Sequence, residues 1–422
     1  MRRGFSTIAL TWALACIASY QIACAEQDSV GLEGANTTGE QTDVATNQHM
    51  PCIEGREMCA EKQQGCRQDP TTFEETCFPC AEMEMPDESG ACVRIDGTML
   101  EHDFGSLTIE GGGEYNGVCQ SWILNNPEEL WVNAVEFSSQ GFYHHSNWFF
   151  VPEGNHDYKD GNWYDCYNDG FEEITAALKG GVLFAQSTQV NREVQRFGKG
   201  VALRIPPYSR IIAATHLLNY TPNEVTTRLI MRLYTLDKGE LEVKLTPFRL
   251  GYYPLDIPPN ATSEFRTECN IDDAFLSADD KNLDMKVHYV LPHYHSLGAD
   301  FRLGIHGGER DNETLFSLGA FGGDPFGKVF DPPVDLTGAK GLEFSCTFSN
   351  PRDEAVGWGI GDQEMCLMLG FAESTVAFDG SVQETTLLGP DENGIVQHAG
   401  PCNVTGFKFS QNKSGGIPND TL

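Results

Sequence analysis

The chain has 422 residues, room for one large core or two to three ordinary domains. Lysine and arginine total 28 against 61 aspartates and glutamates, a formal charge of -33, which repels phosphate backbones and anionic lipid and so excludes nucleic acid as a partner. With 44 glycines, 21 prolines and few stretches of helical periodicity, the composition predicts an all-β body of short strands joined by turns.

Residues 1–25 read as an export signal, with Arg2 and Arg3, an apolar run and then small residues. Two endings stay open. Ala23 and Ala25 fit cleavage before Glu26, whereas Cys24, or Cys16, fits the lipid-bearing first residue of a bacterial lipoprotein. Later segments fall short of the run of about 18 apolar residues that a spanning helix needs. The mature protein is expected to be secreted or extracytoplasmic, meeting a membrane only through a possible lipid anchor.

Residues 26–50 are acidic and poor in apolar side chains, the composition of a disordered tether. Residues 51–96 carry Cys52, Cys59, Cys66, Cys77, Cys80 and Cys92 among few hydrophobic residues. So short a segment needs staples, and three disulfides are expected, with a connectivity that sequence cannot give. The CFPC stretch also admits a metal or redox pair of Cys77 and Cys80, a reading that export disfavours.

From residue 97 onward strand-like runs alternate with turns: WVNAVEF, GVLFAQST, GVALRIPP, RIIAATHLLNY, RLIMRLYTL, DMKVHYVLPHYHSL, LEFSCTFS and EMCLMLGFAE. No crossover-helix pattern separates them, which favours sandwiches over βαβ units. A Pro-rich link in 237–262 puts a domain boundary near residue 240, giving domains 97–240 and 241–422.

Five of the 11 histidines stand in informative places: His144 and His145 in FYHHSNWFF, His216 in AATHLLNYTP, and His293 and His295 in PHYHSLG. Positions i and i+2 of a strand project from one face, so His293 and His295 can hold one metal ion between them. His144 and His145 are adjacent, and they can share an ion only where the strand bulges or ends. Met365 precedes Cys366, and Cys346 stands twenty residues earlier. A disulfide between Cys346 and Cys366 would close a hairpin and fix Met365 on its strand.

The order HH, a single strand histidine, H-x-H-x-x-G, C-x-F-x-N and E-M-C resembles the copper type II, ascorbate-dependent monooxygenases, the family of peptidylglycine alpha-hydroxylating and dopamine beta-monooxygenases. The resemblance covers roughly residues 105–405. It implies two jelly-roll-like antiparallel β-sandwich domains behind the Cys-rich module, each domain carrying one copper. On it, His144, His145 and His216 would bind the electron-donating copper, and His293, His295 and Met365 the oxygen-activating one. It also implies the pairs Cys269 with Cys402, Cys346 with Cys366 and Cys119 with Cys166. Imidazole suits both copper states and a thioether favours Cu(I), whereas zinc, the competing metal, rarely takes a thioether.

The chain departs from the peptide amidase of that family at places that grip a peptide carboxylate. Leu291 stands where an arginine is expected, Leu367 and Leu369 where an asparagine and a tyrosine are. Ser146 replaces the usual methionine after HH, and Ala214 replaces a glutamine near His216. The expected function is therefore C–H hydroxylation of a small neutral or cationic organic substrate by dioxygen and a one-electron donor such as ascorbate. The alternatives are a non-catalytic copper binder and a surface interaction protein on the same fold.

Overall fold

The computed structural model describes Cys52 and residues 55–69, 71–155, 163–166, 168, 170–186, 190–319, 326–359 and 363–409. The expected export signal, with Cys16 and Cys24, and the acidic tether lie outside the described residues. The protein is all-β: two jelly-roll-like, largely antiparallel β-sandwiches follow a small Cys-rich module.

The module holds a one-turn-and-a-half helix, Arg56–Glu61, and two short hairpins. Its bridges are Cys52–Cys66, Cys59–Cys77 and Cys80–Cys92. Cys77 and Cys80 therefore belong to different disulfides, and the redox or metal pair allowed by the CFPC spacing does not form. The module is seated on the first sandwich. Gln63 acts as a strand mimic, its amide nitrogen donating to the Val194 carbonyl and its oxygen accepting from the Val194 N–H, both at 2.7 Å. This covers the outer strand Arg192–Arg196, whose open edge would otherwise invite pairing with another chain. Below it Glu136, fully buried, accepts from the Met83 N–H (3.0 Å), Arg192 Nε (2.7 Å) and the Tyr234 hydroxyl (2.7 Å).

In the first sandwich one sheet has the strand order Gly181–Gln186, Tyr143–Pro152, Ser209–Leu218, Glu114–Ile123, Tyr164–Asp165. Ser209–Leu218 is buried at every position up to its last, as suits a central strand covered on both faces. Trp148, Phe137, Phe184, Ile211 and Leu233 fill the core between this sheet and the facing one. The second sandwich sets Lys286–His293, Leu367–Glu373 and Val243–Tyr252 against a sheet centred on Gly298–His306, Gly341–Asn350 and Ala261–Asn270. Cys269–Cys402 and Cys346–Cys366 lie within this second half, and Cys119–Cys166 within the first.

The halves share a sheet. Val201–Ile205 pairs in parallel with Val243–Tyr252, Val201 opposite Val243 and Ala202 opposite Lys244, so one run of strands crosses from the first sandwich to the second. An apolar seam reinforces it: Ala185, Phe197, Val201 and Leu203 pack on Leu245, Tyr289, Leu291 and Phe371. At about 1.5–3 kcal/mol for each large side chain buried, prising this seam open would be costly.

Each sandwich also turns a corner on a buried asparagine. The Asn219 amide donates to the carbonyls of Ile109, Glu110 and Asn223, and its oxygen accepts from the Thr221 N–H. The Asn350 amide donates to the carbonyls of Ile257, Pro258 and Glu354, and its oxygen accepts from the Arg352 N–H.

Candidate metal centre

His145 and His216 are cross-strand partners on Tyr143–Pro152 and Ser209–Leu218. The register then slips, so that Leu217 faces Tyr143 and His144 has no counterpart: it is the extra residue of a bulge. The bulge is what lets two adjacent histidines turn toward one place. A second slip lies on the other flank of His216, where Thr215 pairs with Val118 and Leu217 with Tyr115. The extra residues there include Gly117 at φ 71°, a left-handed conformation that glycine adopts without strain. Glu114, at the start of that strand, places a carboxylate oxygen 2.9 Å from His216 Nε2.

The H-x-H pair is arranged differently from the strand expectation. Lys286–His293 ends at His293, and His295 lies beyond it in a non-strand link. What holds His295 is the chain before Leu367–Glu373. Glu364, 1% exposed, accepts from the N–H groups of His295 (2.8 Å), Leu297 (2.7 Å) and its own neighbour Met365. Burial pushes its carboxyl up to about 7 against the pull of those donors. The Gln363 carbonyl lies 2.7 Å from His295 Nδ1. Met365 likewise precedes the strand rather than sitting on it, between Glu364 and the disulfide-bonded Cys366. Because Leu367 pairs with His293, the half-buried Met365 runs alongside the link that carries His295.

The five histidines thus come together at one place, from two strands of the first sandwich and one strand end of the second. Ring centroids lie 4.8 Å apart for His145 and His216, 4.9 Å for His144 and His216, 5.4 Å for His144 and His145, and 5.3 Å for His293 and His295. Across the halves, His145 is 5.5 Å from His293 and 5.9 Å from His295, and His144 is 6.4 Å from His295.

Outer partners fix which nitrogens face inward. A carbonyl only accepts, so His295 Nδ1 carries the proton and leaves a lone pair on Nε2, an atom that is buried and without a hydrogen-bond partner. His144 Nδ1 is likewise buried and unpartnered. With the Glu114 carboxylate on Nε2, His216 turns the Nδ1 lone pair toward His145 Nε2, 3.0 Å away. Two imidazoles bound to one ion at about 2.1 Å have nitrogens roughly 2.9–3.4 Å apart, so an ion fits where these two now share a proton. Burial, and then the neighbouring rings, hold His145 well below its ordinary range; burial first also lowers His293 to about 3 and His216 to about 4, and lowers His295. Neutral imidazole is the form that ligates a metal.

The donor set fits copper: imidazoles, two of them with an unpartnered ring nitrogen, and a methionine in the segment that binds the His295 backbone. Among the described residues, the group of three acid, histidine or cysteine side chains with donor atoms all within 4.8 Å of one another is Cys52, Cys66 and Glu75, whose two sulfurs are bonded to each other. The histidines are looser than that and would draw in around an ion.

Leu291 and Leu369 lie in the seam between the halves, opposite each other, and Leu367 stands opposite His293. Arg249, opposite Leu369, donates from Nε to Asp379 at 2.6 Å. On the first sandwich, Asn147, two residues from His145 along the same strand, donates to Glu173 at 3.0 Å. Burial raises the Glu173 carboxyl to about 7. Sequence reading missed Glu114, Glu364, Asn147 and Glu173; only Glu364, inside the E-M-C motif, had a signal that could have marked it.

The fold and site define a class: an exported, disulfide-stapled pair of β-sandwiches with a histidine cluster between them. Six disulfides are those of an oxidising, extracytoplasmic compartment, and no helix among the described residues is long and apolar enough to cross a membrane. No family model matches the chain, and no curated protein matches it. Similar solved structures include the major capsid protein P2 of bacteriophage PM2 (9% identity, 65% of this chain and 97% of that one, TM-score 0.26). Others are the empty top component of cowpea mosaic virus (10%, 66% and 91%, 0.28) and the exported protein XepA of PBSX (9%, 72% and 99%, 0.16). At such scores these likenesses carry no weight for function.

Proposed function

We propose that the chain is a copper-dependent monooxygenase that hydroxylates a C–H bond of a small organic substrate, using dioxygen and a one-electron reductant such as ascorbate. The observation that carries this reading is the convergence of five histidines from both sandwiches, with the His216 and His295 rings oriented by Glu114 and the Gln363 carbonyl. His144, His145 and His216 would hold one copper and His293, His295 and Met365 another. Copper, when bound, supplies one-electron chemistry with dioxygen. The chain's own residues orient the rings, and burial lowers the basicity of His145, His216, His293 and His295. Leu291, Leu367 and Leu369 offer nothing to an anionic peptide end, and a net charge of -33 repels one, which supports a neutral or cationic substrate. The chain would work outside the cytoplasm, either secreted or held by lipid at Cys24.

Copper analysis of the purified protein, followed by oxygen uptake with ascorbate across neutral and cationic small organics, tests the reading. Two coppers per chain and substrate-dependent oxygen consumption are expected, with His216→Ala retaining about one copper. Copper that binds without any substrate-dependent uptake would leave a copper carrier instead, and a chain that retains no copper would end both readings.

A further inference from the structure

We propose that the hairpin Thr386–Ala399 is an acid-released flap, held shut by one neutral histidine, His398, on its inner face. The hairpin is an excursion from the second sandwich. It leaves after Val382 and returns at Cys402, two residues that pair with each other, and Cys402 is bonded to Cys269. Its feet lie close together: a Cβ on Gly400 would stand 2.1 Å from the Glu384 carbonyl oxygen. The Tyr252 hydroxyl meets that of Thr385, and Thr267 Oγ1 donates to the Gly400 carbonyl at 2.8 Å, contacts that hold the feet rather than the hairpin. Within the hairpin Thr386–Pro390 pairs with Val396–Ala399, and Asp391 at the tip accepts from the N–H groups of Asn393 and Ile395, both at 2.9 Å, so it can move as one piece. Its pairing to the rest of the sheet is short, Val396–Ala399 alongside Ser263–Arg266 in parallel, and Thr386–Pro390 is the outermost strand.

From Thr386 to Ala399 one side chain is buried, that of His398, 3% exposed. Its ring stacks on Phe265 with centroids 4.3 Å apart, and both ring nitrogens are buried and without a hydrogen-bond partner. Either neutral tautomer leaves one N–H unmet, and imidazolium would leave two, with a charge as well. The surroundings offer little to a charged ring. Leu387, its partner across the hairpin, is apolar. Asp256 draws His398 toward protonation more weakly than burial opposes it. Glu264 and Arg266 flank Phe265 and so project from the other face of their strand. Tyr252, edge-on to Phe265 at 5.5 Å, spends its hydroxyl on Thr385 and is kept from ionising by burial. The closed flap thus holds His398 below its ordinary 6.5, and the open flap returns it to that value. Opening takes up a proton, so closure is fully favoured above 6.5 and weakens by up to about tenfold for each pH unit as pH falls below it. Release uncovers the Phe265 ring and the Ser263–Arg266 strand edge.

The test is hydrogen exchange of the full chain at about pH 7.5 and about pH 5, expressed as protection factors so that the intrinsic pH dependence of exchange divides out. Protection of the Val396–Ala399 amides that face Ser263–Arg266 is expected to fall by about 10–30-fold from the higher pH to the lower, while Val225–Thr235 in the first sandwich keeps its protection. His398→Leu, or His398→Gln should the leucine variant fail to fold, should hold the hairpin's protection within about twofold over the same range. Unchanged protection in wild type, a fall that persists in the folded variant, or an equal fall in Val225–Thr235, the sign of general acid unfolding, would each overturn the flap.

Discussion

Replacing Glu364 with glutamine should loosen His295 without unfolding the protein. The carboxylate accepts from three N–H groups, those of His295 at 2.8 Å, Leu297 at 2.7 Å and Met365, and it is buried. Glutamine keeps one oxygen and turns an NH2 toward at least one of those donors. Stranding one buried N–H costs about 1–3 kcal/mol. Part of this is offset, because burial already opposes the charged form and glutamine carries no charge; a net loss of about 1–2 kcal/mol is expected, read from urea midpoints at pH 7. The larger effect falls on the metal. A partner that orients a ligand is worth about 10–100-fold in affinity, so Glu364→Gln should weaken the tighter-held Cu(I) by that factor in a chromophoric chelator competition. Glu364→Ala should weaken it at least as much. If Glu364→Gln matches wild type in both urea midpoint and Cu(I) affinity, the carboxylate does not position His295.

Glu173→Gln should flatten the pH dependence of stability. The folded carboxyl stands near 7, above its ordinary 4.5, so its contribution is fully present below about 4.5 and is lost as pH rises through 7; the interval corresponds to at most about 3 kcal/mol, trimmed to about 2 by its partly exposed edge. Thermal melts should show the variant gaining on wild type between pH 5 and pH 8, and a gain that is constant with pH would refute the assignment. Met365→Ile should leave the melting temperature within a few degrees but remove the sulfur scatterer from X-ray absorption of the Cu(I) protein, with a fall in any substrate-dependent oxygen uptake; nitrogen and oxygen neighbours alone in wild type would make Met365 a packing residue. Glu136→Gln, which leaves Arg192 and Arg232 facing an uncharged buried group, should cost about 3 kcal/mol and expose the Cys-rich module to proteolysis first; unaltered proteolysis would show that the carboxylate does not anchor it.

The strands were legible because their apolar runs are long and bounded by turns: RIIAATHLLNY lies across the Ser209–Leu218 strand and its exit, and LEFSCTFS falls inside Gly341–Asn350. The condition that His144 and His145 could share an ion only at a bulge is met by the slip opposite Leu217. Other features were not legible. The strand reading of PHYHSLG fails after His293 because the backbone of His295 bonds to Glu364 rather than to a neighbouring strand, and that tertiary contact has no local trace. Glu114 is one acid among 61, and nothing near it in sequence distinguishes it. The helix Glu173–Lys179 is too short for a periodic signature. Six cysteines in a short segment admit 15 pairings, and geometry alone selects among them.

The twin asparagine corners have a consequence for how the two halves are built. Asn219 and Asn350 each reach two adjacent carbonyls on a distant segment and one four residues ahead, and each takes back the N–H two residues on. The two sandwiches thus close a corner with the same six-atom exchange, each asparagine supplying partners to backbone groups that the turning chain would otherwise leave unpaired. The histidines do not follow that plan. His216 lies three residues before Asn219, whereas Thr347 occupies the same distance before Asn350. The second half carries its histidines elsewhere, at the end of Lys286–His293 and in the link beyond it, so the corner sets the path of each chain without dictating where the candidate ligands stand.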